Sequence, residues 1–343
     1  LKPMLAWINV TPESPEVYRA AHTYCAIIFA GIGAQLFYNF ICSFLRSMGD
    51  SVTPLLFLLF STFLNIGLDL LFIVSFHWGV AGAAIATVAS QVVSAVLTVR
   101  CIHGSQGMPW HLQLKNIRIE RSVLLAICRI GLPGAAQSAL YSISNMTIQS
   151  AINGFGTVAV AAWSVYGKID FLFWMTVSSF GIAVTTFAGQ NFGARQYDRV
   201  RRGTMTCLAM TAGTTLCISL ALYPSAQLLF RLFSSDDAVV AQGVQMMHYL
   251  VPVYMTYICI EIFSGALRGC GDVRVPTIIT VFAVCIMRIV WLAVALPFKH
   301  ELSVVEFSYP LTWITATVLF AIYYAKGGWM QRCIAVQNAK TQG

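Results

Sequence analysis

Long apolar runs separated by short polar segments set the pattern of this 343-residue chain. A bilayer core of about 30 Å is crossed by roughly 20 apolar residues in an α-helix, at about 1.5 Å per residue. Nine runs reach that length, at residues 19–45, 54–76, 79–101, 122–149, 159–188, 203–226, 240–266, 276–298 and 305–326. The pattern predicts an all-α integral membrane protein.

The composition agrees with a chain that is solvated by lipid. Hydrophobic residues make up 58% of the sequence and charged residues only 10%, whereas a soluble domain carries roughly 25% charged residues. The net charge is +8, but the basic residues lie in short loops between apolar runs, so we expect a lipid bilayer and no nucleic acid as partner. Ten scattered cysteines without a CxxC pair favour neither disulfides nor a zinc site.

Lysine and arginine also predict the orientation of the chain. If the first apolar run ends in the cytoplasm, fourteen Lys and Arg residues fall in cytoplasmic loops and four fall on the opposite side. Cytoplasmic loops carry an excess of Lys and Arg, so this orientation is favoured and the C-terminus is cytoplasmic. We expect a multi-pass protein of a prokaryotic plasma membrane.

A repeated hexapeptide divides the sequence into two lobes. LRSMGD at 45–50, followed by Pro54, recurs as LRGCGD at 267–272, followed by Pro276, at an offset of 222 residues. Six apolar runs separate the copies, so the repeats are parallel. We interpret residues 1–101 as a remnant of an amino-terminal lobe, 102–121 as a cytoplasmic linker and 122–343 as a carboxyl-terminal lobe. The offset leads us to expect about 100 further residues, or three helices, before residue 1, with residues 1–6 as the tail of the last one.

Several segments resemble those of one transporter family. GQNFGAR at 189–195, followed by Arg199, resembles the GQNxGA…R signature of MATE (multidrug and toxic compound extrusion) transporters. The two hexapeptides, NIGLD at 65–69 and GVAGAAIAT at 79–87 resemble the family's other recurring segments, so the resemblance covers nearly the whole chain. It implies a two-lobe helical transporter with parallel six-helix repeats, of which about nine helices, the fourth to the twelfth, are present here.

The resemblance also implies a secondary antiporter that exports amphipathic, often cationic compounds in exchange for H⁺ or Na⁺. The sequence contains no GxxxxGK[ST] phosphate loop and no Ser/His/Asp or Cys/His arrangement, so we expect neither an enzyme nor a cofactor beyond the coupling ion. We expect a monomer. Two alternatives stay open, namely a lipid-linked oligosaccharide or polysaccharide exporter of the same superfamily, which favours a strongly basic cavity, and a non-transporting membrane fragment.

Asp69 is the most informative polar residue at membrane depth. Asn65 precedes it by one helical turn, and Thr87 on the next run lies at a similar depth, roughly 12 Å from the predicted outer end at about 1.5 Å per residue. Hard oxygen ligands suit Na⁺, and a carboxylate removed from water can instead carry H⁺. The resemblance implies this use, because MATE transporters have an Asn-x-x-x-Asp pair and a Thr in an amino-lobe cation pocket, whose remaining acid lies on the first helix. The alternative is a polar cluster that only packs the lobe.

Glu261 is the corresponding candidate in the carboxyl-terminal lobe. It is either one half of a neutralising pair with Arg129, which lies at a similar depth, or an acid that binds the coupling cation or a cationic drug.

A second group of candidates belongs to the cavity of the same lobe. We interpret Asp170, Lys168 and Arg288 mainly as a structural charge cluster that lines this cavity. Polarizable side chains suit varied flat cations, and the candidate walls are Tyr141, Met175 and Tyr257.

Overall fold

The computed structural model describes residues 15–104 and 118–341. Throughout these ranges the chain is predominantly helical, and no β-strand occurs in them. Nine helical segments of the described chain are long and apolar enough to cross a membrane. The predicted all-α class and the nine predicted spans are therefore confirmed.

The chain divides into two compact units, Leu1–Arg118 (the amino-terminal unit) and Ile119–Gly343 (the carboxyl-terminal unit). The predicted linker at 102–121 lies largely outside the described residues, and the predicted helix tail at 1–6 lies wholly outside them. Both stay predictions, as does the division into lobes at those boundaries.

The described part of the amino-terminal unit contains α1 (Pro15–Ser47), α2 (Val52–Asp69) and α3 (Gly79–Gly104). Pro54 lies in the first turn of α2, where a missing N–H group costs nothing. The helix continues beyond Asp69 as a π-helical turn, Leu70–Ser75. Buried Ile41, Leu45 and Ile102 form the small core that joins α1 to α3.

The carboxyl-terminal unit is larger. Its described part consists of α4 (Arg121–Asn153), α5 (Thr157–Gly193), α6 (Tyr197–Phe233), α7 (Asp237–Leu250), α8 (Tyr254–Gly269), α9 (Arg274–Thr280), α10 (Met287–Phe298), α11 (Leu302–Lys326) and α12 (Trp329–Thr341). The main core is formed by α5, α6, α7, α8 and α11, with Phe173 stacked on Tyr254 at a ring-centroid distance of 4.0 Å.

Two of these membrane spans are interrupted. A 3₁₀ turn, Val251–Val253, separates α7 from α8, and Pro252 within it has no N–H group to donate. A π-helical turn, Val281–Ile286, separates α9 from α10. The sequence predicted both spans as uninterrupted helices, because hydrophobicity does not distinguish an α-helix from a 3₁₀ or π turn.

The sequence prediction also ended the last helix at residue 326 and missed α12. Gly328 adopts a φ of +57°, a left-handed conformation that glycine tolerates, and lies between α11 and α12. Trp329 is then buried, and its indole N–H donates to the carbonyl oxygen of Tyr324 at 3.0 Å.

Small residues bring α5 and α8 close together. A Cβ atom on Gly265 would lie 2.9 Å from Oγ1 of Thr185, and one on Gly269 would lie 2.4 Å from the carbonyl oxygen of Thr185. Small residues at such contacts allow close helix packing in membranes. The contact continues to Gly181, which faces Glu261 and so positions a candidate site residue.

Candidate functional site

The first candidate site lies where α2 becomes a π-helical turn. Asn65 and Asp69 are one turn apart on α2, and both side chains are partly buried. Nδ2 of Asn65 and Oδ1 of Asp69 are inaccessible to solvent and have no hydrogen-bond partner among the described residues. Buried polar atoms are nearly always partnered, and π-helical turns are frequent at functional sites. The arrangement therefore suits a bound proton, ion or water.

The third predicted ligand, Thr87, lies on α3, which packs against α2. Its hydroxyl donates to the carbonyl oxygen of Ala83 at 2.9 Å, and its lone pairs can still accept. The π-helical turn also approaches α3, because a Cβ atom on Gly82 would lie 3.2 Å from the backbone of Phe72. The fold thus places the three predicted residues on two helices in contact, although the ligation of an ion stays a prediction.

The chemistry of this site fits a monovalent ion or a proton. Among the described residues, no group of three or more His, Cys, Asp or Glu side chains has a metal-binding arrangement. The three candidate ligands themselves supply one carboxylate, from Asp69, and the neutral oxygens of Asn65 and Thr87.

Asp170 is the centre of a second polar cluster, inside the carboxyl-terminal unit. Its Oδ2 accepts a hydrogen bond from the indole N–H of Trp174 at 2.6 Å, while its buried Oδ1 has no hydrogen-bond partner in the described part of the chain. The hydroxyl groups of Tyr166 and Tyr254, 3.2 Å apart, lie beside it. Aromatic hydrogen-bond donors thus surround one side of this carboxyl group.

Glu261 has partners other than the predicted one. Its Oε2 accepts from the hydroxyl of Tyr257 at 3.4 Å, and its Oε1 lies 3.9 Å from Nη2 of Arg268. Arg268 is two turns along the same helix face, whereas Arg129 is exposed on α4. Of the two alternatives for Glu261, the pair with Arg129 was wrong, because equal depth does not fix which way a helix faces.

Arg288 is buried in the carboxyl-terminal unit, with 1% of its surface exposed. Its Nη2 donates to Oγ1 of Thr312 at 3.2 Å, and its guanidinium lies over the ring of Tyr309, with Cζ 4.4 Å from the ring centroid. Within residues 15–104 and 118–341, no carboxylate lies within ion-pair distance of it, and its Nε lacks a partner.

The predicted charge cluster of Asp170, Lys168 and Arg288 therefore does not form. Lys168 is exposed, with its ammonium 5.2 Å from the ring centroid of Phe233. It precedes Asp170 by two residues, and two residues are about 200° around a helix, so the two side chains point to different faces.

The predicted aromatic and Met walls are distributed unevenly. Tyr257 is buried in the polar cluster and contacts Trp174 and Trp313, at ring-centroid distances of 4.7 and 5.3 Å. Tyr141 packs against the main core of the unit, whereas Met175 is 53% exposed on its surface. Their contact with a substrate stays a prediction.

Sequence reasoning missed one buried carboxylate, that of Glu306 on α11. It is 4% exposed, and no ion pair reaches it from any described residue. The predicted span began at 305 and placed this residue at the membrane surface, whereas α11 begins at Leu302. A correct helix start would have identified it.

Comparisons with known proteins agree on one family. A protein-family model described as MatE matches residues 5–71 and 133–294. The chain is 28% identical over 329 residues to the probable multidrug resistance protein YpnP of Bacillus subtilis, an alignment that covers 96% of this chain and 73% of that protein. It is 26% identical over 324 residues to the probable multidrug resistance protein YoeA of the same organism, covering 92% and 69%.

A solved structure shares the fold. It is the outward-facing conformation of a multidrug resistance MATE family transporter of the MOP superfamily, and it superposes with a TM-score of 0.84 at 21% identity. The superposition covers 94% of this chain and 71% of that one.

Proposed function

This chain belongs to the MatE family, whose model matches more than half of its length, and from that premise we propose that it exports amphipathic, often cationic compounds in exchange for H⁺ or Na⁺. Members of this family are transporters rather than enzymes. Two relatives carry the name of multidrug resistance proteins, which supports efflux of varied compounds.

The observation that carries the proposal is the charge inside the carboxyl-terminal unit. Three buried or half-buried carboxyl groups, those of Asp170, Glu261 and Glu306, lie within its membrane spans. Two bases in these spans are buried or half-buried, Arg288 and Arg268, and Glu261, which lies beside Arg268, is the one acid of the three with an ion-pair partner among the described residues. Ionisable groups at membrane depth usually serve transport, and an excess of acids favours cations over anions.

Aromatic rings beside these acids support the same substrate class. Trp174, Tyr257 and Trp313 contact one another beside Asp170, and the faces of such rings attract cations.

We assign the coupling of ion entry to drug export to the site at Asp69. Its buried oxygen without a partner and the adjacent amide of Asn65 support occupation by a proton or by Na⁺. An ion that binds one conformational state more tightly than another shifts the protein toward that state, and a drug that prefers the other state is then released. The ion gradient thereby drives export.

The oligosaccharide-exporter alternative is less well supported. A pyrophosphate-linked substrate carries several negative charges, whereas the spans in the described part of this unit hold three buried or half-buried acids and two buried or half-buried arginines. A strongly basic cavity is the feature that would favour that function.

The test is transport by the full chain in liposomes. We expect a fluorescent amphipathic cation to move when an H⁺ or Na⁺ gradient is imposed and to stop when an ionophore collapses that gradient. An anionic dye of similar size is the matched substrate, and protein-free liposomes are the control. Equal movement of both dyes would overturn the cation assignment, and movement of neither dye would support the non-transporting alternative.

A further inference from the structure

A groove of about 550 Å³ lies at the α10–α11 end of the carboxyl-terminal unit. It is lined by Tyr249, Trp291, Ala295, Phe298, Lys299, Ser303, Val304 and Phe307. Four of these eight side chains are aromatic, and the groove lies apart from the polar cluster around Asp170. No residue of either candidate transport site lines it.

The groove runs from a helix turn into a membrane span. Trp291, Ala295 and Phe298 share one face of α10, and Trp291 lies seven residues from the end of that helix, roughly 10 Å deep at about 1.5 Å per residue. The indole N–H of Trp291 donates to the carbonyl oxygen of Val304 at 2.9 Å, which fixes the ring between α10 and α11. The apolar walls are thus preformed and follow the direction of a lipid chain.

The mouth of the groove carries one positive and one negative group. Nζ of Lys299 lies 3.0 Å from Oε2 of Glu301, and these side chains are 63% and 54% exposed. Hydrogen bonds from Lys299 and Ser303 lower the pKa of Glu301, so the carboxylate stays ionised at neutral pH. An ion pair this exposed contributes little to stability and can open readily toward another pair of charges.

Phe298 beside this mouth is 88% exposed at the end of a membrane span. Aromatic side chains are typical of the level of lipid head groups. The position therefore places the Lys299–Glu301 pair where head groups lie and the aromatic walls where acyl chains begin.

We propose that this groove binds an aminophospholipid, with one acyl chain between α10 and α11, its phosphate on Lys299 and its ammonium on Glu301. The lipid supplies one negative and one positive charge, and these match the two charges of the mouth. Its primary ammonium also donates N–H hydrogen bonds to a carboxylate, which the quaternary ammonium of phosphatidylcholine cannot do. A lipid whose head group is only anionic has no positive group to pair with Glu301. A lipophilic cation has no negative group to pair with Lys299. The assignment is independent of the compound that the protein exports.

The test uses Trp291 as a reporter in liposomes that contain the full chain. Lipids brominated on the acyl chain quench nearby indoles, and the contribution of Trp291, one of eight tryptophans, is the difference from the Trp291→Phe variant. At a low fraction in phosphatidylcholine, we expect brominated phosphatidylethanolamine to quench this component at least about twofold more than brominated phosphatidylglycerol or phosphatidylcholine with the same chains. If Trp291→Phe does not fold, Phe298→Trp provides a second reporter, read as its difference from the wild type.

Charge variants separate a specific site from general lipid contact. Lys299→Gln with Glu301→Gln should abolish the preference, whereas Arg231→Gln with Asp237→Asn, which removes an exposed ion pair outside the groove, should leave it intact. Equal quenching by the three lipids would overturn the proposal, as would a preference that survives the Lys299 and Glu301 changes. Relief of quenching by an amphipathic cation, without any preference among lipids, would assign the groove to that cation instead.

Discussion

At the scale of single residues, the position of Glu261 depends on Gly181, a neighbour without a side chain. A Cβ atom on Gly181 would lie 2.4 Å from Oε1 and 2.8 Å from Cγ of Glu261. Glycine at this position leaves space for the carboxyl group between α5 and α8, where Tyr257 and Arg268 also reach it. The packing of two helices therefore sets the geometry of a candidate transport residue.

Gly181→Ala should destabilise the protein by about 1–3 kcal/mol, because the added methyl group overpacks this contact. The measurement is thermal unfolding in detergent. Gly213→Ala is the matched control, since a Cβ atom there meets nothing within 4 Å and alanine favours a helix. Equal stability of the two variants would contradict this account of Gly181.

The sequence predicted part of each candidate site at this scale. Asn65 and Asp69 could be recognised from their spacing of one turn, which holds wherever the helix faces. The Glu261–Arg129 alternative and the placement of Lys168 in a charge cluster were wrong. The first required two separate helices to face each other, and the second required Lys168 and Asp170 to share one face of a helix. Depth along a span is readable from sequence, whereas rotation about the helix axis depends on packing.

At the scale of elements, the two copies of the repeated hexapeptide use the same aspartate differently. Oδ1 of Asp50 accepts from the backbone N–H groups of Val52 and Thr53, at 3.1 and 3.0 Å, at the start of α2. Burial acts to raise the pKa of Asp50, but the hydrogen bond from the Thr53 side chain, together with these two backbone bonds, outweighs burial and lowers that pKa. Asp272 instead accepts from the hydroxyl of Tyr323, whose oxygen accepts from Arg332 at 2.8 Å. The second copy thus connects its turn to α11 and α12.

Tyr323→Phe should loosen α12. The change removes one hydroxyl that both donates to Asp272 and accepts from Arg332, and a net loss of about 1 kcal/mol corresponds to roughly fivefold faster local opening. Hydrogen exchange of the amides in Trp329–Thr341 measures this. Tyr24→Phe, at a tyrosine that is 40% exposed on α1, is the control. Unchanged exchange in α12 would contradict this role of Tyr323 and show that the packing of Trp329 holds the helix without this link.

The nine spans were predictable because each needs only length and hydrophobicity. The π-helical turns at Leu70–Ser75 and Val281–Ile286 were not, since their residues are as apolar as those of the adjoining helices. α12 was missed for the opposite reason. Six of its thirteen residues are polar, so it contains no long apolar run, and its position depends on the packing of Trp329 in the core of the unit.

At the scale of the whole molecule, the excess of Lys and Arg in alternate loops predicts the orientation in the membrane. Glu120, just before α4, should be cytoplasmic, and His300, between α10 and α11, should be on the opposite side. Both are exposed. Glu120→Cys and His300→Cys, each placed in a chain whose ten natural cysteines are replaced, should differ in reaction with an impermeant thiol reagent applied to intact cells.

We expect His300→Cys to react from outside and Glu120→Cys to react only after the cells are permeabilised. The reverse result would show that the predicted orientation is wrong. The side from which compounds are exported would then be the opposite one.

The family was recognisable from the combination of short motifs, and the match of the family model over residues 5–71 and 133–294 confirms it. The coupling ion was not recognisable, because one carboxylate with neutral oxygens suits both H⁺ and Na⁺.

The most direct measurement is ion-driven export by the Asp69→Asn variant. This change keeps the size and hydrogen bonding of the side chain but removes the charge that binds H⁺ or Na⁺. Export of a fluorescent cation from liposomes should fall at least about tenfold, equivalent to about 1.4 kcal/mol, while the protein folds normally. Asn65→Ala and Thr87→Ala should weaken ion dependence less, since each removes one neutral ligand. Asp237→Asn, at an exposed carboxylate, should export like the wild type. Wild-type export by Asp69→Asn with unchanged ion dependence would contradict the account and make Glu261 the leading candidate for coupling.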